Sequence, residues 1–329
     1  MTKVLVTGAA GFIGAHAVEA FLKETDWNIV GLVSFRHKGC PLRLEHLRDN
    51  SRFRIVFHDL QAPVSPRVVY EIGEINYVFN LAAESHVDRS IEAPGPFIRN
   101  NTDLIINMLE YAREARPEKF LQISTDEVYG AAPPNVDFLE WAPIIPSNPY
   151  SASKACQEAI AISYWRTYGV PLILTNTMNN IGERQDKEKF IPLIINKILA
   201  NETVYIHGRS GSSGSRFYLH ARNHANALIM MASNMSPILY PNSDRPLRFN
   251  VVGEREVSNL ELAQSISAII EKPLKYEIID FHSSRPGHDL RYALDGSLLR
   301  SCGWVPPIPF EQSLERTIRW TLANPIWLR

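Results

Sequence analysis

Short apolar runs alternate with longer segments in which apolar residues recur at helical spacing, the pattern of a parallel sheet connected by helices. Residues 3–7 predict a buried strand, 8–14 a glycine-rich turn, and 12–22 a helix presenting Ile13, Val18, Phe21 and Leu22 to the sheet. Further strands are expected at 28–33, 54–59, 77–83, 119–125 and 171–176, with long helices over 99–115 and 151–168. After about residue 180 the rhythm changes. A helix at 191–200 leads to a Gly/Ser-rich stretch, 208–215, that reads as a flexible turn. A helix at 221–233 and a strand at 249–252 return to the sheet, and 258–329 mixes helices with Pro-rich connections.

The bulk numbers narrow the function. With 45% hydrophobic residues, 21% charged residues and a formal net charge of -1, the chain lacks the basic excess of a nucleic-acid or membrane-surface binder. Cys40, Cys156 and Cys302 lie far apart with no CxxC pair, which argues against a disulfide framework or thiolate zinc site and fits a reducing cytoplasm. No signal peptide opens the sequence and no apolar run reaches a membrane span of about 18–20 residues. His220 and His224 stand four apart without a third ligand nearby, so no metal site is expected. His86 and His288 read as polar-network residues.

Thr7, Gly8, Gly11, Phe12, Ile13 and Gly14 form a GxxGxxG turn between a strand and a helix. Glycines let the backbone approach a pyrophosphate, whose charge the helix start stabilises. This predicts an α/β protein: a Rossmann-like doubly wound parallel sheet with a smaller mixed α/β substrate-binding lobe. Residues 1–178 are expected to form the dinucleotide-binding domain, with 218–257 returning to it, and 179–217 with 258–329 the substrate lobe. The acidic residue that normally ends the second strand to bind ribose is missing from Leu32-Val33-Ser34. Arg36 and Lys38 follow; they read as solvated loop cations rather than a 2′-phosphate site, which places NAD ahead of NADP. Asp59 and Leu60 would suit the adenine edge.

Tyr150 and Lys154 make a YxxxK motif. Positions four apart share a helix face, so the ammonium lies beside a phenol whose pKa of roughly 10 must fall for it to act as a base near neutrality. The segment Ser124-Thr125-Asp126-Glu127-Val128-Tyr129-Gly130 leaves the fifth strand, where ligands of open α/β sheets bind. Thr125 would align a substrate hydroxyl with Tyr150. Two adjacent carboxyls suit a reaction that removes one proton and donates another.

Together these residues resemble the nucleotide-sugar 4,6-dehydratases of the extended short-chain dehydrogenase/reductase type. The likeness includes TGAAGFIG at 7–14, LAAESHVDRSI at 81–91, STDEVYG at 124–130, NPYSASKA at 148–155, EKFIPLII at 188–195 and RPGHDLRYALD at 285–295. The resemblance implies that Tyr150 deprotonates the carbon 4 hydroxyl while NAD takes the hydride. Glu127 then removes the carbon 5 proton, Asp126 protonates the leaving carbon 6 hydroxyl, and the hydride returns to carbon 6. It also implies cofactor contacts at Leu81, Ala82 and Ala83, with Ser85, Arg89, Asn180, Arg216 and Arg285 holding a nucleoside-diphosphate hexose. A homodimer follows from the same likeness, through 99–115 and the helix after Tyr150. The apolar stripe Leu104, Ile105, Met108, Leu109 and Ala112 fits a dimer face or packing on the chain's own sheet.

The sequence departs from the family pattern at Asn176, where Arg is usual, at Ile181, where Tyr is usual, and at Phe217, where Asp is usual. These positions bear on which nucleotide and hexose are used, not on the reacting set. Two alternatives stand beside the dehydratase. A nucleotide-sugar 4-epimerase or glucuronate decarboxylase would need no acid at Asp126. A non-catalytic dinucleotide sensor would not need the intact Tyr/Lys and Asp/Glu sets.

Overall fold

In the computed structural model, which describes residues 1–209, 212–280, 287 and 289–329, the first half alternates as its pattern requires. Strand β1 (Lys3–Thr7) leads through helix α1 (Phe12–Glu24) to β2 (Asn28–Val33) and β3 (Phe53–Phe57). Helix α2 (Pro66–Ile72), β4 (Tyr77–Asn80), α3 (Val87–Glu92), α4 (Pro94–Ala115), β5 (Lys119–Thr125), α5 (Pro149–Tyr168) and β6 (Leu172–Thr177) follow. Then come β7 (Asn180–Ile181), α6 (Phe190–Leu199), β8 (Val204–Arg209), β9 (Ser212–Ser213), β10 (Ser215–Phe217) and β11 (Leu219–His220). Helix α7 (Ala221–Asn234) and β12 (Leu247–Val251) precede β13 (Glu256–Ser258), α8 (Asn259–Ile270), β14 (Tyr276–Asp280) and the helix Phe310–Ala323.

The central sheet has the order β12-β6-β5-β4-β1-β2-β3, and each neighbouring pair is parallel. The direction of winding reverses between β1 and β4, which opens a crevice at the carboxyl ends of the strands. Alternation along β1 assigns its faces. Val4 and Val6 pack with Val18 and Phe21 of α1 and Leu228 and Met231 of α7. Leu5 turns to Ile105, Met108 and Leu109 of α4 and to Trp165 of α5. A slip of one residue would exchange those faces, so burial on both sides fixes the register.

Ile105, Met108, Leu109 and Ala112 belong to that second core. Of the two roles open to the stripe, packing on the chain's own sheet is the one observed, and Leu104 borders the crevice. A separate apolar cluster organises the second lobe: Ile191, Ile194, Ile195 and Ile198 of α6 meet Val204 and Ile206 of β8, Leu262 and Ile266 of α8, and Leu314 and Ile318 of the last long helix. No helix among the described residues is long and apolar enough to cross a membrane.

Several boundaries differ from expectation for identifiable reasons. Helices α4 and α5 start at Pro94 and Pro149, earlier than predicted, because proline at a first helical position sacrifices no hydrogen bond and presets φ. Strand β4 stops at Asn80 and β3 at Phe57, so residues 81–83 and Asp59 leave the sheet and reach the crevice. The stretch 208–215 is not simply a flexible turn: β8 and β9 pair antiparallel within it, with Gly208 opposite Ser213.

Candidate active site

At one end of the crevice the chain turns on glycines. Gly8 has φ +65°, and a Cβ at Gly14 would lie 2.1 Å from the Gly8 carbonyl oxygen, so any side chain there would push α1 off the turn. Gly11 is the N-cap of α1 and provides no side-chain cap, which leaves first-turn N–H groups available to an anion. Gly8, Gly11, Phe12, Ile13 and Gly14 border the crevice together with Asp59, Leu81, Ala82 and Ala83. Thr7 and Leu60 do not. The Thr7 hydroxyl donates to Asn80 Oδ1 at 2.7 Å and accepts from the Ala82 N–H at 3.0 Å, tying β1 to β4, and Leu60 is buried in the core.

The opposite end is built where β5 leaves the sheet. Thr125 caps a single 3-10 turn, Asp126–Tyr129, and its hydroxyl donates to Asp126 Oδ1 at 2.8 Å. Helix α5 begins with a capping box between Asn148 and Ser151, which sets Tyr150 in its first turn. The phenol hydrogen-bonds with Thr125 and feels the charges of Glu127 and Asp126. Glu127 Oε2 accepts from Asn148 Nδ2 at 3.3 Å and from the Tyr292 hydroxyl at 3.4 Å. Residues 125, 126, 127 and 150 therefore converge, while Tyr150 and Lys154 also border the crevice with Ser85 and Arg89.

Burial sets the protonation states here. Asp126 is 3% exposed; desolvation, then the neighbouring Glu127 charge, raises its carboxyl to about 7. Its Oδ2 is buried without a hydrogen-bond partner. A carboxyl protonated near neutrality, with one oxygen uncommitted, is suited to donate a proton. Burial lowers Lys154 to about 8, and its Nζ donates to the Ile123 carbonyl at 2.8 Å and to Gln157 Oε1 at 2.7 Å. The expected depression of the Tyr150 phenol by this lysine is not found. Burial, then the Glu127 charge, lifts the phenol above its ordinary value, and Lys154 is not among the groups acting on it.

At the Asp59 end of the crevice Arg36 remains part-exposed but is paired, its Nη1 donating to Asp59 Oδ2 at 2.8 Å. Lys38 Nζ lies 2.6 Å from Glu188 Oε2. In the second lobe, Arg216 Nη1 donates to the Ser215 and Leu290 carbonyls, both at 2.6 Å. Its guanidinium lies 4.4 Å from the centre of the Tyr292 ring, and its charge reaches Asp126. Asn180 Nδ2 donates to the Met178 carbonyl at 2.9 Å. Arg285 and His288 lie outside the described residues. His220 and His224 join polar networks, with Glu183 at 3.0 Å and the Thr177 hydroxyl at 3.1 Å respectively.

Residue-by-residue reading of the sequence missed Asn148, Tyr292 and Lys189. Lys189 borders the crevice, and Glu127 is the first of the charges acting on it after burial. All three lie inside motifs that had been read whole, and the N-cap position of Asn148 before Pro149 was a usable local signal.

The family model described as GDP-mannose 4,6 dehydratase matches residues 5–317. The chain belongs to the nucleotide-sugar 4,6-dehydratase family. A dTDP-glucose 4,6-dehydratase of Neisseria meningitidis is 36% identical over 347 residues, covering 99% of this chain and 95% of the relative. The solved dTDP-glucose 4,6-dehydratase DesIV of Streptomyces venezuelae, with NAD and TYD bound, superposes with a TM-score of 0.87 at 31% identity, covering 100% of both chains. A UDP-glucuronic acid 4-epimerase of Bacillus cereus, TM-score 0.87 at 23% identity over 98% of this chain and 100% of its own, shares the fold. Family membership makes the protein a hydro-lyase on a short-chain dehydrogenase/reductase scaffold.

Proposed function

We propose that the protein is an NAD-dependent dehydratase that removes water across carbons 5 and 6 of a nucleoside-diphosphate hexose, with dTDP-glucose or UDP-glucose as substrate. The observation that carries this reading is Asp126, a buried carboxyl raised to about 7 with a free Oδ2. An epimerase on the same scaffold has no step that needs it.

The crevice suits a dinucleotide. The close packing of Gly14 on Gly8 and the uncapped start of α1 favour a pyrophosphate, and Tyr150 and Lys154 stand at the reactive end. NAD, with the glycine turn at its pyrophosphate and Tyr150 and Lys154 at the other end of the crevice, would supply a hydride acceptor and a store for the hydride until carbon 6 takes it back. Burial keeps the Tyr150 phenol protonated, and the positive charge of a bound nicotinamide would oppose it. Tyr150 takes the proton of the carbon 4 hydroxyl, which Thr125 aligns. The resulting 4-ketone acidifies carbon 5, and Glu127, held by Asn148 and Tyr292, accepts that proton. Asp126 gives its own proton to the oxygen leaving carbon 6, so that water departs rather than hydroxide. As carbon 6 regains a hydride, Glu127 would return its proton to carbon 5, which gives a 4-keto-6-deoxy sugar.

Ser85, Arg89, Asn180, Arg216 and Arg285 are proposed as the substrate-binding set, and planar guanidinium groups match a diphosphate. Residues 1–178 with 218–257 are proposed as the dinucleotide domain, the remainder as the substrate lobe. A cytoplasmic homodimer is proposed on the family resemblance. Its three cysteines are unpaired, which suits a reducing compartment, and the contact would use outward faces of α4 and α5.

The test is incubation with a panel of nucleoside-diphosphate glucoses and mass detection of a 4-keto-6-deoxy product. Asp126→Asn should retain cofactor and lose water elimination. Dehydration at the wild-type rate in that variant would defeat the assignment.

A further inference from the structure

The crevice handles charge unusually at its adenosine end. The second strand ends on Val33 and Ser34 follows it, with no acidic residue at either position, yet a carboxylate stands nearby. Register supplies it from the neighbouring strand: Val33 pairs with Phe57, and Asp59 follows two residues later. Asp59 Oδ1 accepts the Gln61 N–H at 3.0 Å, which orients the carboxylate and leaves Oδ2 for Arg36 Nη1 at 2.8 Å. Both residues border the crevice.

The loop that carries Arg36 is pinned. Phe35 and His37, on either side, adopt left-handed conformations with φ 52° and 50°. The Cys40 N–H donates to the Ala10 carbonyl at 3.0 Å. Buried Arg43 spans the Ala10 and Lys38 carbonyls with Nη1 at 3.3 and 2.5 Å. Lys38, the other cation of this loop, is also committed, to Glu188 at 2.6 Å, and His37 Nδ1 lies 3.5 Å from Glu84. A 2′-phosphate entering here would have to take Arg36 from Asp59, and would then face the carboxylate it had unpaired. A ribose 2′-hydroxyl meets no such penalty, because a neutral group needs no cation.

We infer that Asp59 is a specificity-determining residue, which holds Arg36 and repels a 2′-phosphate, so that the crevice accepts NAD and rejects NADP. This rests on the dinucleotide reading given above. It also turns the Arg36 that follows the second strand, ordinarily the mark of a 2′-phosphate site, into part of the device that excludes one.

The test compares nucleotide-free protein titrated with ADP-ribose and with its 2′-phosphate, which differ only in the group at issue. Wild type should favour ADP-ribose by about tenfold or more, as expected for like-charge exclusion at a half-exposed site. Asp59→Asn should bring the ratio of the two affinities to about one or invert it, since Arg36 is released. Arg36→Ala should move the ratio the opposite way, leaving Asp59 unneutralised. A structural role for the pair would weaken both probes equally and leave the ratio fixed. Equal wild-type affinities, or an unchanged ratio in Asp59→Asn with its melting transition intact, would overturn the inference. If neither probe bound, it would fall together with the cofactor reading beneath it, which an altered ratio alone would leave standing.

Discussion

At the β5 end of the crevice Asp126 is buried with one oxygen unpartnered, whereas at the adenosine end Arg36, His37 and Lys38 each face a carboxylate. At the first end burial raises the Asp126 carboxyl to about 7, and on the proposed function this is what makes it an acid near neutrality. The other end pairs Arg36 and Lys38 with carboxylates, and on the reading inferred above it is left to recognise shape and neutral hydroxyls. The proposed function thus puts chemistry where a polar group is buried without a partner and selectivity where part-exposed charges are paired.

Removing the base should break this contrast most severely. Tyr150→Phe retains the ring that packs 6.3 Å from Phe97 and deletes only the hydroxyl. Turnover should fall by roughly 10³–10⁴, the upper part of the range for a lost general base, with cofactor still bound. Stopped-flow absorbance of the reduced nicotinamide checks this: no transient reduction should appear. Wild-type transient reduction in this variant would place the base elsewhere.

Asp126 should show a trade of stability for function. Its carboxyl is raised from 3.8 to about 7, so between those values the folded protein binds the extra proton and the unfolded chain does not. Stability contributed by this group is therefore present at low pH and declines as pH rises toward 7. Asp126→Asn removes the penalty and should stabilise the protein at pH 8 by about 2–4 kcal/mol, while kcat for dehydration drops by roughly 10²–10³. Urea unfolding at pH 5 and pH 8 measures the first effect, and a variant no more stable at pH 8 than wild type would contradict it. In wild type the acid must be protonated, so activity should decline as pH rises through about 7.

How much of this was legible beforehand depends on whether the signal was local. The glycine turn, the Tyr150/Lys154 spacing and the Thr125–Glu127 exit are short-range patterns, and the sheet they sit on follows from alternation. Pairings across strands were not legible. Arg36 reads as a solvated loop cation until β2 and β3 are set in register beside Asp59. Tyr150 and Lys154 share a helix face as their spacing requires, but the number of residues between them could not reveal that the ammonium turns to Ile123 and Gln157. Asn176 is instructive in the same way. It departs from the usual Arg, yet Arg248 on the adjacent strand brings a guanidinium to Glu158 at 2.6 Å, and Asn176 Nδ2 joins Glu158 Oε1 to the Thr125 carbonyl at 2.8 and 3.1 Å.

That network carries a buried but paired set of charges from the first end into the sheet, and it can be cut. Arg248 and Glu158 are 1% and 0% exposed, and the guanidinium also lies 4.3 Å from the Trp141 ring centre. Glu158→Gln would leave a buried cation without its counter-charge, which typically costs about 3–5 kcal/mol. The urea midpoint should fall accordingly, and activity should fall further than cofactor affinity because Asn176, which donates to the Thr125 carbonyl, loses its anionic partner. Replacement of both partners by apolar residues should recover much of the stability; no recovery would mean that packing, not charge, holds this part of the sheet.

The smallest effect should come from the compensated rim. Lys38 and Glu188 are 37% and 26% exposed, so solvent and salt screen their attraction, and two long side chains lose rotamer freedom in forming it. Lys38→Met should change stability by less than about 1 kcal/mol and NAD affinity by no more than about threefold. The residual difference should shrink as salt is raised from low to physiological strength, since only the charge was removed while the aliphatic stem remains. Calorimetric titration at two ionic strengths reads both numbers. A loss of tenfold or more that persisted in high salt would show that this pair is a structural clamp across the crevice, and the division into a buried reactive end and a screened recognition end would have to be redrawn around it.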